Sequence, residues 1–446
     1  MKRIASLIIC ALVVLTSCVL FAVPASAAEK VVYVKNDATG DGSSASSPIG
    51  TLDAALKLLA ETGGTVKIVD EVTVAANTLA TAQVPEYYVE PAHDRQITIT
   101  SADSANKAKL VFDFECTWYA LSGPTVFENL KLVNNTFDQP IRLLARGNHI
   151  TMGEGLEMYL CDTLQTPEDP LTLAGSMKGF AVIGLTNIGA EYDGYMEDDC
   201  WITIKSGVYY LIQAYTRGFN TEGELTGNAY LEFLGDFATY QIGFGPLTKG
   251  YTATGESFVY WDAVVTGYRV FMGYDAAILP FTTNLFIAGG NLVDAAGLNR
   301  PNTGGQGFCG NTKVKTVNLW YDETNTAATD FANFIMGTYA VSFNDPDAGL
   351  FGDELKNYNG PAYRLTEDVK PLDDAPVTDA PATEAPATDA PVTELPATDA
   401  PVVDTTAAPE IPEDTPATGD ASVMVVFVAA AVLSVAAVVV IKKKEN

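Results

Sequence analysis

Five carboxylates fall within nine residues, at Glu191, Asp193, Glu197, Asp198 and Asp199. Oxygen ligands at that density suit a hard divalent cation, so calcium is the one cofactor the sequence points to. In a chain of formal net charge −29 the same run also reads as a solvated acidic loop. The two histidines, His93 and His149, have no His or Cys at ligand spacing and read as structural. No Cys-x-x-Cys occurs, and Cys116, Cys161, Cys200 and Cys309 read as free thiols. A second chemistry lies in aromatic pairs: Trp118-Tyr119, Tyr209-Tyr210, Tyr260-Trp261 and Trp320-Tyr321, with Trp201 alone. A flat apolar ring with a polar tip suits a sugar, which makes Trp118, Tyr119, Trp261, Trp320 and Tyr321 carbohydrate-stacking candidates. The same rings also suit core and surface ladders. Neighbours on a strand point to opposite faces, so only one ring of each pair can face outward.

These residues sit in a globular region, residues 29–370, that reads as all-β. Val31 to Val34 predicts a strand, followed by a Gly/Ser/Asp loop from Asn36 to Pro48. Thr51 is placed to cap a helix carrying Leu52, Ala55, Leu56 and Leu59 at helical spacing, and Gly63-Gly64 ends it. Thr65 to Val69 predicts the next strand. Short β runs then recur, among them Gln96–Thr100, Thr125–Leu132, Trp201–Ile204, Tyr230–Leu234, Asn284–Ile287 and Thr316–Trp320. Glycine turns are expected within Ile204–Tyr209 and within Ile287–Leu292, and no helical period is read between the later strands. An antiparallel sandwich is the alternative arrangement of so many strands.

The opening order resembles the N-terminal cap of pectin-lyase-like right-handed parallel β-helices. The residues that carry the likeness are Asp41-Gly42-Ser43, Ser47-Pro48, Thr51-Leu52, Ala55-Leu56 and Gly63-Gly64-Thr65-Val66. The resemblance implies a short amphipathic helix covering the open end of the coil. It implies no particular activity. Of the site patterns known in that family, Asn-Thr-Asp, Gly-His-Gly and Arg-x-Lys are absent, and Asp198-Asp199 matches only an isolated Asp pair. No catalytic residue is assigned.

The chain ends carry targeting signals. Met1-Lys2-Arg3, an apolar run from Ile4 to Val23 and Ala25-Ser26-Ala27-Ala28 read as a signal peptide, residues 1–28. Leu15-Thr16-Ser17-Cys18 resembles a lipobox, but apolar residues continue past Cys18 to the Ala-x-Ala site. Residues 371–414 repeat every five residues with Pro376, Pro381, Pro386, Pro391, Pro396 and Pro401. This Thr/Ala/Pro/acidic segment has no apolar period to bury and reads as a disordered stalk. Residues 421–441 carry no charge, and about 1.5 Å per residue makes them long enough to cross a bilayer as a helix. The basic tail, residues 442–446, favours a cytoplasmic end. Residues 415–420, with Pro416, Ala417, Thr418 and Gly419, resemble the sorting signal of Gram-positive surface proteins, although Thr415 stands where that family has Leu. The resemblance implies a sortase that cuts between Thr418 and Gly419.

Together these readings imply an extracellular protein held at the cell wall or membrane. Residues 29–370 hold 21 Lys and Arg against 42 Asp and Glu, a balance that disfavours nucleic acid as a partner. The expected role is adhesion or binding to a glycan or host surface without catalysis. The rival is a cell-attached polysaccharide lyase or glycoside hydrolase. On the anchoring reading, Thr418→Ala shifts the protein from the wall fraction to the membrane fraction. Intact chain found only in clarified medium contradicts it.

Overall fold

The computed structural model describes residues 29–359 apart from 79–86, 114–115, 137–138, 169–177, 186–197, 216–222, 246–250, 272–278, 299–306, 310–313 and 340–350. The segments read above as signal peptide, stalk, sorting-like motif, apolar span and basic tail lie outside these residues. Among the described residues no helix is long and apolar enough to cross a membrane.

The chain winds as successive coils, each strand lying parallel to its equivalent in the next coil. Sheet 1 runs from Val31–Val34 through Gly64–Ile68, Ile97–Ser101, Thr125–Phe127, His149–Met152, Cys200–Ile204 and Ala229–Phe233. It continues through the first parts of Ser257–Phe271 and Leu279–Val293 to Val314–Tyr321 and Phe351–Asn359. Sheet 2 runs from Tyr88–Val89 through Trp118–Ala120, Ile141–Leu144, Phe180–Leu185, Val208–Tyr215 and Phe237–Gly243 to the second part of Ser257–Phe271 and Gly307–Cys309. Sheet 3 is shorter: Glu71–Thr73, Lys109–Phe112, Lys131–Asn134 and Glu157–Leu160. This is the arrangement of a parallel β-helix, and the parallel pairing excludes the antiparallel sandwich.

The interior follows from the period of two along each strand. On sheet 1 one inward column is Val66, Ile99, Phe127, Met152, Ile204, Phe233, Trp261, Ile287 and Tyr321, each paired with the next. All belong to the main core. Each such side chain contributes roughly 2 kcal/mol of burial.

Helix α1, Leu52–Leu59, packs into the first end of that core. It forms where expected: Thr51 Oγ1 accepts from Ala54 N at 3.2 Å, and Leu52, Ala55, Leu56 and Leu59 are its buried face. The preceding loop is tied by Asp41, whose Oδ1 accepts from Ser43 N, Ser43 O–H and Ser47 O–H. Those hydrogen bonds, the Ser43 hydroxyl first, hold its carboxyl down to about 2.

The cross-section changes partway along the coil. In the early coils the chain goes from sheet 1 to sheet 3 to sheet 2, then turns directly back to sheet 1. Thr163–Leu164 pairs antiparallel with Glu157–Leu160 and ends sheet 3. After that point sheet 1 turns directly into sheet 2. Lys205-Ser206-Gly207 makes the first such turn between Ile204 and Val208, with Gly207 at φ +115° where L side chains are strained. The longer connection now lies between sheet 2 and sheet 1 and carries the parallel pair Gly223–Leu225 and Tyr251–Ala253.

Two expectations are corrected here. The Ile287–Leu292 turn is a bend inside one 15-residue strand, Leu279–Val293, accommodated by a register shift opposite Trp261 and Asp262. A second helix, α2, spans Thr326–Tyr339 where none was read. Asn325 Oδ1 caps it by accepting from Ala327 N and Ala328 N. Ala328, Phe331, Ala332 and Ile335, at helical spacing, enter the core, and the Phe331 ring lies 5.1 Å from that of Trp261.

Gly64 opens the second strand at φ +129°, and a Cβ there would lie 2.2 Å from Lys30 O. Gly64→Ala is therefore expected to destabilise the fold by roughly 2–3 kcal/mol. Chemical unfolding checks this; a loss within about 0.5 kcal/mol contradicts the placement.

Candidate functional site

The outward side of sheet 1 carries two columns. The first is His149, Trp201, Tyr230, Phe258, Asn284 and Asn318, paired coil to coil. The second is Thr151, Thr203, Glu232, Tyr260, Phe286 and Trp320. Strand pairing alone brings these rings into contact. Trp201 stacks on Tyr230 with centroids 4.1 Å apart and planes 9° apart, and Tyr230 stacks on Phe258 at 5.0 Å and 12°. Phe286 stacks on Trp320 at 4.6 Å and 8°. Trp201, Tyr230 and Tyr260 are half-buried, while Phe258 and Phe286 are buried. Stacking covers the ring faces within the column, so the edges and polar tips face outward.

A polar ladder flanks the rings. Asp199 Oδ1 accepts from Asn228 N at 2.8 Å, and Asn228 Oδ1 accepts from Glu256 N at 2.9 Å. Asn284 Nδ2 donates to Glu256 Oε2 at 2.8 Å, and Asn318 Nδ2 donates to Asn284 Oδ1 at 2.8 Å. The Tyr230 hydroxyl reaches Asp199 Oδ2 at 3.5 Å. Burial first, then the Asp199 charge, pushes that phenol up to about 12. On the same face Thr203 Oγ1 donates to Glu232 Oε2 at 3.1 Å and lies 3.0 Å from His149 Nε2.

Sheet 2 carries a second stack outward, Tyr210, Tyr240 and Tyr268, with centroids 6.0 and 5.1 Å apart. The Arg269 guanidinium lies 5.0 Å from the Tyr240 ring centre and donates to Gln241 Oε1.

The stacking candidates separate by face. Tyr119, Trp261 and Tyr321 are corrected: all three are core side chains that offer a ligand no ring face. Tyr119 donates its hydroxyl to Glu90 Oε1 at 2.7 Å, and Trp261 donates its indole N–H to Ala263 O at 2.9 Å. Trp118 and Trp320 do face outward, so the one-in, one-out expectation holds for both pairs. Trp118 is nonetheless buried, with the Arg142 guanidinium 5.2 Å from its ring centre. Trp320 is 9% exposed and buried against Phe286. The half-buried rings Trp201, Tyr230 and Tyr260 take the place given to the buried ones. Their signal in the sequence is recurrence at the coil length: hydrogen bonds along this ladder join residues 28, 29 and, at its last step, 34 apart.

Of the proposed calcium ligands, Glu191, Asp193 and Glu197 lie outside the described residues. Asp198 and Asp199 are exposed, and Asp199 is engaged by Asn228 N. Among the described residues no three His, Cys, Asp or Glu side chains are placed to hold a metal ion. Cys116, Cys161 and Cys200 are free thiols, the first and last buried. Burial pushes the Cys116 thiol up to about 12, which leaves it inert as a nucleophile at neutral pH.

Sequence reading gave no role to the buried cluster around Glu90. That carboxylate accepts from the hydroxyls of Tyr119 and Thr125 and from Ser122 N, and lies 3.2 Å from His93 Nε2. His93 Nδ1 lies 2.8 Å from the Arg95 carbonyl oxygen. With an oxygen acceptor at each nitrogen, the doubly protonated ring satisfies both. Burial pulls the His93 pKa down, but the Glu90 and Arg95 hydrogen bonds and the nearby negative charge leave it raised above 6.5. Both side chains are fully shielded from solvent, so the pair locks the sheet 2 to sheet 1 corner and touches no ligand.

No family model, no curated protein and no solved structure matches this chain. The functional reading therefore stands on the geometry above.

A folded-state pKa above the unfolded value means stability that is fully present below about pH 6.5 and lost as pH rises through the folded pKa. His93→Gln is thus expected to lower the melting temperature more at pH 6 than at pH 9. Removing one partner of a buried pair costs about 3 kcal/mol at the acidic end. A penalty constant across that range in thermal unfolding contradicts the charged pair.

Proposed function

We propose that this chain is a Gram-positive surface protein that binds neutral glycans through the outward face of a right-handed, pectin-lyase-like β-helix. The observation that carries this reading is the Trp201–Tyr230–Phe258 stack with the Asp199–Asn228–Glu256–Asn284 ladder beside it. Ring edges next to amides and carboxylates give apolar contact and hydroxyl-directed hydrogen bonds together, the pairing a sugar needs. The carboxylates also repel uronates, so the ligand class is neutral. Export by residues 1–28, display on the 371–414 stalk and sortase-type attachment at Thr418 place the face outside the cell. The partners are then a sortase, the envelope and an external glycan.

The purified protein screened on oligosaccharides is expected to bind neutral chains and to ignore polygalacturonate. Trp201→Ala should weaken binding about tenfold, equivalent to roughly 1.4 kcal/mol. Steady release of unsaturated uronides, lost on replacing one Arg or Lys, would promote the lyase reading instead.

A further inference from the structure

Beside the aromatic column of sheet 1 runs a row of polar side chains that repeats on a different step. Alternate residues on a strand share a face, so Asp199 stands with Trp201, Asn228 with Tyr230 and Glu256 with Phe258. Over three successive coils the row is carboxylate, amide, carboxylate. Its hydrogen bonds fix it and leave acceptors over. Asp199 is exposed, and its Oδ1 takes the Asn228 N–H at 2.8 Å. Among the described residues only the Tyr230 hydroxyl, at 3.5 Å, reaches its Oδ2. Glu256 is half-buried, and among the described residues only Asn284 Nδ2 donates to its side chain, at Oε2. An ionised carboxylate has about four acceptor positions, so both groups keep lone pairs for a ligand. Asp199 and Glu256 stand two coils apart, or about 9.6 Å along the coil axis.

We propose that this face takes a flat, extended, neutral β-1,4-linked chain laid along the coil axis, one sugar to a coil. Asp199 and Glu256 accept hydroxyls from alternate sugars, and the ring edges of Trp201 and Tyr230 supply apolar contact beside them. The proposal rests on the reading of this face as a glycan site. Each sugar of such a chain is turned over relative to the one before it. The same hydroxyl edge therefore recurs at every second sugar, over a length close to that of two coils. The row alternates in the same way, with the Asn228 amide between two carboxylates. A chain that coils, as α-1,4- and β-1,3-linked glucans do, leaves the axis and reaches one carboxylate. A charged chain is repelled by both. Hydrogen bonds to adjacent coils hold the row before a ligand arrives, so little of the ordering cost falls on the protein.

The test is calorimetric titration of the mature chain with glucan hexasaccharides of β-1,4, α-1,4 and β-1,3 linkage, and with the β-1,4 series from two sugars to six. The β-1,4 hexasaccharide is expected to bind about tenfold more tightly than the other two. Affinity should rise about tenfold between two sugars and four, because three are needed to reach both carboxylates. Asp199→Asn and Glu256→Gln each keep an oxygen for the hydrogen bond within the row. Each should weaken the hexasaccharide about fivefold, through loss of a charged acceptor. Equal binding of all three linkages overturns the proposal without any variant having to fold, and leaves the glycan face standing. Affinity that does not rise with chain length does the same. If both carboxylate variants bind as the wild type does while Trp201→Ala fails, the carboxylates have no part in recognition and the proposal falls alone. No binding of any hexasaccharide to the wild type overturns both the chain geometry and the glycan reading.

Discussion

The parallel backbone ladder is the constraint on which the rest of this structure depends. It sets each strand about 4.8 Å from its equivalent in the next coil and in register with it. Whatever side chain stands at a position is therefore packed against the side chain one coil away. Inward positions must be apolar and must fit together, hence the unbroken column from Val66 to Tyr321. Outward positions are under the same stacking rule without the same demand for apolarity. Aromatic rings then stack on rings, and amides hydrogen-bond to carboxylates and to each other. The Trp201 stack and the Asn284–Asn318 contact are the same geometry expressed in different chemistry.

The change of cross-section at Thr163–Leu164 gives this ladder two environments. Before it, the compact corner between sheets 2 and 1 is held by buried polar groups, with Glu90 and His93 at its centre. After it, the compact corner lies between sheets 1 and 2, and Ser257–Phe271 can run through both sheets without a break. Helix α2 sends Phe331 and Ile335 into the interior against this later part, as α1 does at the first coil. The outward aromatic stacks on both sheets belong mainly to the later coils, where the stacked rings stand between 28 and 34 residues apart. Strand register, not equal coil length, is what lets rings meet face to face, so a stack forms across 34 residues at Phe286–Trp320 as it does across 29 at Trp201–Tyr230.

Much of the fold was legible because its signals are local. The Thr51 cap, the apolar face of α1 and Gly63-Gly64 each act within a few residues, and they place the first coil. Single strands were legible from β-branched and aromatic runs. The inner or outer face of a given ring was not, because it depends on register between segments almost thirty residues apart. Trp261 and Trp201 look alike in sequence; only pairing with Phe233 puts one inside, and pairing with Tyr230 puts the other outside. Helix α2 was hidden for another reason. Its buried face uses two alanines, which are weak apolar signals, beside Phe331 and Ile335. The Glu90–His93 pair was invisible because its partners Tyr119, Ser122 and Thr125 come from the following coil.

The same ladder restricts what the outward face can recognise. A ring stacked at 4.1 Å with planes nearly parallel has spent its faces on its neighbours. Recognition by broad ring-on-sugar stacking is therefore closed along most of the column, and edges, hydroxyls and flanking side chains are what a ligand meets. Edges bind weakly and with little directional preference, so selectivity has to come from the polar groups beside them. Those groups are held by hydrogen bonds to adjacent coils, Asp199 by Asn228 and Glu256 by Asn284, so their positions are set before any ligand arrives. A β-helix with such a face recognises by a rigid row of polar groups along an apolar edge, and its selectivity is written in the side chains that interrupt the aromatic column.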